Sequence, residues 1–140
     1  MQTRNIKLAQ GLTYAGTLPL IGLAAAAHLV QNPEAVLLMA TAYAAIIAAF
    51  ISGIHWAIYM FHDEKCPRNL LLTSNMVALL AWASLLLPGP AILVQTLCFL
   101  YLLVLDFKLR DAWILPQWFF ALRRNATVVV VLALAALALS

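Results

Sequence analysis

The segment that decides the fold is Ala35–Phe61, AVLLMATAYAAIIAAFISGIHWAIYMF, which runs for 27 residues without an Asp, Glu, Lys or Arg. A helix needs about 20 apolar residues to cross the roughly 30 Å hydrocarbon core of a bilayer. The rest of the chain has the same character, because 66% of its residues are hydrophobic and 9% are charged. A soluble domain carries roughly 25% charged residues. The composition therefore predicts one all-α domain, residues 1–140, embedded in a membrane.

Four further apolar runs predict a bundle of five transmembrane helices in total. They are Ala9–Val30, Leu70–Leu87, Ala91–Phe107 and Ala126–Leu139. The last run has only 14 residues, which make about 21 Å of helix. It crosses a bilayer comfortably only if its helix begins near Pro116. We therefore expect a short interfacial segment, rich in aromatic residues, before the last helix.

Residues typical of turns and helix ends separate the runs. Asn32–Glu34 supplies an N-cap, a proline for the first helical position and an acid for the first turn of the second helix. Asn69 is placed to cap the third helix. The Pro-Gly-Pro sequence at residues 88–90 predicts a tight turn, so the third and fourth helices should form a hairpin.

The basic residues predict the orientation of the bundle. With five spans, all eight Lys and Arg residues fall on one side of the membrane: Arg4, Lys7, Lys65, Arg68, Lys108, Arg110, Arg123 and Arg124. Short loops with this bias face the cytoplasm, so we expect a cytoplasmic N-terminus and an external C-terminus. No cleavable signal or presequence is visible, which favours the bacterial cytoplasmic (inner) membrane. The charges line the membrane edge, so the expected partners are the lipid bilayer, other membrane proteins or a homo-oligomer, and not nucleic acid.

Small residues recur every four positions along the second helix, on two neighbouring faces. The first face is Ala40, Ala44, Ala48 and Ser52, and the second is Thr41, Ala45, Ala49 and Gly53. Small residues at this spacing let helix backbones approach closely inside a membrane. The pattern predicts that the second helix is the central helix of the bundle.

A few polar residues inside or near the spans are candidates for a binding site. They are His55, Trp56, Tyr59, Asn75, Asp106 and Arg123. An ionisable side chain within a span suggests a function, because exposing it to lipid is costly. His55 is expected to bond to another helix, with Asn75 and Asp106 as the leading partners. Its role stays open between holding the helices in register, binding a ligand and proton chemistry.

Asp106 also has more than one expected role. It can accept a hydrogen bond from His55, pair with Arg123, or simply neutralise arginines at the membrane edge. Pro19 in the first helix suggests a polar gap near Thr13, Tyr14 and Thr17. Proline kinks in spans are usually satisfied locally, so a binding pocket there is the less expected outcome.

The sequence contains no pattern that names a reaction. Walker, Rossmann, HExxH and GxSxG motifs are absent, and no second carboxylate or nucleophile accompanies Asp106. Residues 62–66 contain metal-ligand types at a spacing that fits no zinc site. His28 and His55 lie at different expected depths, which argues against a haem. We therefore expect neither an enzyme nor a cofactor or metal.

Three segments and one acidic residue carry a resemblance to a known family. They are Gly11–Pro19, Ser52–Trp56, Leu115–Arg123 and Asp106. In these positions the chain resembles the transmembrane-protein-69-like family, a domain of unknown function found in bacteria and mitochondria. The resemblance implies a small multi-pass inner-membrane protein and brings no activity with it.

Three functions are compatible with these features. The first expectation is an accessory or assembly component that acts by helix packing. The alternative is a binder or carrier of a small lipophilic molecule, a quinone or a lipid, near His55, Trp56 and Tyr59. The third is a transporter, which would have to be an oligomer because five spans cannot hold a paired inverted repeat.

Overall fold

The computed structural model describes residues 3–62, 64–87 and 89–140. Within those ranges the chain forms five α-helices and no strand: α1 (Thr3–Leu29), α2 (Glu34–His62), α3 (Leu70–Ser84), α4 (Ala91–Asp111) and α5 (Gln117–Ala138). The predicted all-α class is confirmed. Asp63 of the predicted inner loop and Pro88 of the predicted turn lie outside the described residues.

Four of these helices, α1, α2, α4 and α5, are long and apolar enough to cross a membrane. The last helix starts directly after Pro116 and has 22 residues. The prediction that this helix begins near Pro116 is therefore confirmed. The helix α3 is the exception, with 15 residues, or about 22 Å. The predicted span to Leu87 was too long, because the N–H groups of Leu85 and Leu86 bond three residues back, at 3.1 and 3.0 Å. The last turn therefore tightens and the α-helix ends at Ser84.

The helix α2 packs against α1, α3 and α4, while α5 packs against α1 and α4. Every residue of the first predicted small-residue face is buried: Ala40, Ala44, Ala48 and Ser52. The second face divides along its length. Thr41 and Ala45 are buried, whereas Ala49 and Gly53 are exposed. The stripe turns outward there because it follows the helix surface round, away from the neighbouring helices.

The two predicted helix caps have different outcomes. Asn32 Oδ1 accepts a hydrogen bond from the backbone N–H of Glu34 at 3.4 Å, at the start of α2. Asn69 occupies the N-cap position of α3, but its side chain makes no capping bond. Its backbone dihedrals of φ −97° and ψ 9° differ from the extended conformation that aims a capping side chain at the first turn. The capping role predicted for Asn69 is wrong.

A tight backbone turn ends α4 and aims α5 back into the bundle. The N–H of Trp113 bonds to Arg110 O and the N–H of Ile114 bonds to Leu109 O, each at 3.0 Å. These two bonds form a Schellman motif, which usually has glycine at its left-handed position. Here that residue is Trp113, with φ 62°, and it is 95% exposed. A left-handed non-glycine residue costs about 1–2 kcal/mol.

A buried glutamine joins the other ends of three helices. Gln95, near the start of α4, donates to Thr41 O on α2 at 2.9 Å and to Ser84 Oγ on α3 at 3.1 Å. Its side chain is fully buried. The end of α3 and the starts of α2 and α4 therefore meet at one end of the bundle.

Candidate functional site

The most polar part of the interior is a cluster of three side chains from three helices, which we call the charge cluster: His55 on α2, Asp106 on α4 and Arg123 on α5. Asp106 Oδ1 lies 2.6 Å from His55 Nε2, and Asp106 Oδ2 lies 3.2 Å from Arg123 Nε. The exposed fractions of the three residues are 0%, 1% and 8%. One carboxylate therefore ties three helices together out of contact with solvent.

The positions of these residues along their helices explain why they meet. His55 lies seven residues before the end of α2, Asp106 five before the end of α4, and Arg123 six after the start of α5. At 1.5 Å per residue each is about 8–10 Å from the same end of the bundle. Both contacts expected for Asp106, with His55 and with Arg123, are confirmed, and they occur together.

The other predicted site residues lie elsewhere. The Asn75 amide donates to Leu71 O on its own helix at 2.8 Å, so it is not the partner of His55. Asn75 and Trp56 line a separate groove on the outside of α2 and α3, which we call the α2–α3 groove; it also contains Ala49, Ser52, Gly53, Ser74 and Ala78. Tyr59 packs against the small apolar core around Leu70, Leu105, Leu109 and Leu115.

Beside the charge cluster lies a cavity of about 370 Å³. Its lining comes from α1, α2 and α5, with Phe99 of α4: Ala9, Leu12, Thr13, Gly16, Thr17, Leu20, Tyr43, Ala44, Ile47, Phe50, Ile51, Ile54, Phe99, Phe119, Leu122, Arg123, Ala126, Thr127 and Val130. Leu12 and Phe50 are 66% and 68% exposed, so the cavity opens sideways between α1 and α2. Its size and mostly apolar lining are those of a small-molecule site.

Most polar groups in the lining are already used by the protein. The hydroxyls of Thr13 and Thr17 donate to backbone carbonyls of their own helix, at 2.8 and 2.7 Å. Tyr43 on α2 donates to Gly16 O on α1. Two buried atoms are different, because Arg123 Nη2 and Thr127 Oγ1 find no hydrogen-bond partner among the described residues.

Arg123 therefore belongs to both features. Its Nε holds Asp106, and the same side chain lines the cavity. Arginine has only donors, so the remaining Nη2 can serve only an acceptor. Of the six predicted site residues, Arg123 alone is in the cavity lining. His55 and Asp106 do not line the cavity and are linked to it through Arg123.

Sequence reasoning did not select Thr127, Tyr43 or Gly16. A threonine within a span usually bonds to the preceding turn of its own helix, so nothing in the sequence indicates that the Thr127 hydroxyl lacks a partner. Of the three residues expected near Pro19, Thr13 and Thr17 line the cavity, whereas the Tyr14 hydroxyl accepts from Asn125 Nδ2 at 3.2 Å. A pocket beside Pro19, the less expected outcome, is therefore present.

In the part of the chain that the structure describes, no three His, Cys, Asp or Glu side chains are grouped to hold a metal ion. The polar groups at the site are the buried Arg123–Asp106 ion pair, the His55 imidazole and the two unpartnered donors of Arg123 and Thr127.

Comparison with known proteins gives one family. The family model described as "Protein of unknown function (DUF3429)" matches residues 6–139. Searches of curated proteins and of solved structures returned no match. The family match covers nearly the whole chain, including every helix that lines the cavity, so this chain belongs to the DUF3429 family.

Proposed function

We propose that this protein is a five-span protein of the bacterial cytoplasmic membrane that binds a small lipophilic molecule, without catalysing a reaction. The binding site is the cavity between α1, α2 and α5. The distribution of basic residues supports a cytoplasmic N-terminus and an external C-terminus. The resemblance to the transmembrane-protein-69-like family is compatible with this location.

The cavity carries the proposal. Protein interiors are usually closely packed, but a cavity of about 370 Å³ lies between these helices. Two buried donors in the lining of this cavity have no partner in the described chain. Leaving a buried donor unsatisfied is unfavourable by about 1–3 kcal/mol. A bound molecule that fills the apolar space and accepts from these donors would remove both costs.

Filling the cavity with a side chain tests this proposal. Gly16 lines the cavity, and a Cβ built there meets nothing within 4 Å. Gly16→Leu should therefore fold and also gain helix propensity, by roughly 0.5–1 kcal/mol. We expect native mass spectrometry of detergent-purified protein to show one bound decylbenzene per wild-type chain and none on this variant.

Gly11→Leu is the matched control. Gly11 is on the same helix, is exposed, lies outside the cavity lining and also has open space at its Cβ position. This variant should bind decylbenzene as the wild type does. Equal binding by Gly16→Leu and wild type, or none by either, would overturn the proposal.

An accessory or assembly role is the second candidate, and the α2–α3 groove favours it. Ala49 and Gly53 give the groove a floor of small residues, and the Asn75 side chain at its edge is exposed. A single transmembrane helix of another protein fits such a surface, since small residues permit close approach and an amide can bond across. Purification in a stoichiometric complex that Ala49→Leu abolishes would support this role.

A further inference from the structure

The two spare donors in the cavity define the polar end of the ligand. Thr127 follows Arg123 by four residues on α5, so the two side chains are neighbours on one helix face. Both line the cavity, and Arg123 Nη2 and Thr127 Oγ1 are its buried polar atoms without a partner in the described ranges. An oxygen atom that accepts from one or both of them would complete the site.

The charge balance of the cluster limits what kind of oxygen this is. The charge of Arg123 is already matched by Asp106, which it contacts at 3.2 Å. A bound carboxylate or phosphate would add a second negative charge to a buried site, and uncompensated buried charge is strongly unfavourable.

A doubly protonated His55 would be needed to balance such an anion. That form has two N–H donors. Nε2 has Asp106 as its partner, but Nδ1 is buried and lacks a partner within the described chain. A buried N–H donor without an acceptor is costly, so a second proton on His55 would offset the charge of a bound anion only at that cost.

We propose that the cavity binds an uncharged lipophile whose polar end is a carbonyl group, with Arg123 Nη2 and Thr127 Oγ1 donating to the carbonyl oxygen. This inference rests on the proposed function. A quinone ring and a neutral lipid ester share this chemistry. A free fatty acid does not, because its headgroup is an anion.

Four probes that each carry a decyl tail on a six-membered ring test the inference. Decylbenzene has no acceptor, methyl para-decylbenzoate has a neutral carbonyl, para-decylbenzoate is its anion, and decylbenzoquinone represents the quinones. We expect the methyl ester to bind wild-type protein about tenfold more tightly than decylbenzene, from one to two hydrogen bonds. The anion should bind more weakly than its ester. The ratio of ester to quinone affinities identifies the preferred source of the carbonyl.

Thr127→Val removes one donor without changing the shape of the side chain. It breaks no hydrogen bond that the described residues make, so the melting temperature of the variant should not fall. Its affinity for the methyl ester should drop about fivefold, with decylbenzene binding unchanged. Thr13→Val is the control, because Thr13 also lines the cavity but its hydroxyl already donates to Ala9 O.

The outcomes separate the two proposals. If decylbenzene binds and Gly16→Leu abolishes it, the binding function stands. In that case, equal affinity for ester and decylbenzene, tighter binding of the anion, or no effect of Thr127→Val overturns the carbonyl inference alone. If no probe binds to the wild type, both proposals fail.

Discussion

Asp106 is the residue with the largest electrostatic consequence, because both of its carboxylate oxygens are used and it is almost completely buried. Asp106→Asn leaves the Arg123 charge buried without a counter-charge. Removing one partner of a buried ion pair costs about 3–5 kcal/mol. We expect the free energy of unfolding in detergent to fall by at least about 3 kcal/mol, measured by denaturant titration.

The neighbouring Asp111 provides the control for this change. Asp111 contacts Arg110 at 3.3 Å, and its side chain is 57% exposed. Exposed ion pairs contribute about 0–1 kcal/mol, so Asp111→Asn should be almost silent. Similar decreases in the free energy of unfolding from the two substitutions would show that burial of Asp106 does not increase its contribution to stability.

At this scale the sequence predicted contacts of Asp106 with His55 or with Arg123 as alternatives, and the structure has both. It did not predict the cavity. His55 and Asp106 stand out because ionisable groups inside apolar runs need partners, and both lie near the same expected end of their helices. Asn75, a candidate for the same reason, bonds to its own helix instead. A cavity results from the packing of residues far apart in sequence, such as Gly16, Tyr43 and Thr127. Its volume depends on the helix positions, which hydropathy does not encode.

At the scale of helices, α2 makes a direct test of close packing possible. Ala48 is fully buried and Ala49, next to it, is exposed. Ala48→Leu forces a larger side chain into a filled interface, which costs about 1–3 kcal/mol, whereas Ala49→Leu extends outward. We expect the melting temperature in detergent to fall clearly for the first and little for the second.

The same comparison excludes an explanation from helix propensity. Alanine and leucine are both strong helix formers, so propensity changes equally at the two positions. Equal melting temperatures would mean that the buried face of α2 tolerates expansion, against the close approach inferred here. Ala44→Leu is a poorer test, since Ala44 lines the cavity and the added atoms have space.

The ends of helices were predicted less well than the helices themselves. Hydropathy extends through residues 85–87, so it cannot detect that α3 tightens after Ser84. Likewise, nothing in the residue type of Trp113 announces the left-handed turn that a glycine would normally occupy. Both features depend on local backbone hydrogen bonds, which are decided by how the adjoining helices pack.

At the scale of the whole molecule, contacts between helices establish the relative directions of α2, α3 and α4. Thr41 and Gln95 join the starts of α2 and α4, while His55 and Asp106 join the same two helices near their ends. These helices are therefore parallel, and α3 must carry the chain back between them. At about 22 Å it is shorter than the roughly 30 Å core of an average bilayer. If α3 crosses the membrane as proposed, the bilayer should thin locally beside it.

This path leads to the prediction on orientation. In the proposed topology of five crossings, the start of α1 and the end of α5 lie on opposite sides of the membrane. The eight basic residues belong to segments at the end of the bundle that holds the charge cluster. In a background with Cys66→Ser and Cys98→Ala, a cysteine added after Ser140 should react with an impermeant maleimide on intact cells. Lys65→Cys, at an exposed position between α2 and α3, should react only after permeabilisation. Labelling of Lys65→Cys alone from outside would show that the orientation is the opposite of the predicted one. Labelling of both from outside would contradict five crossings, because the turn after α2 and the end of α5 would then share one side.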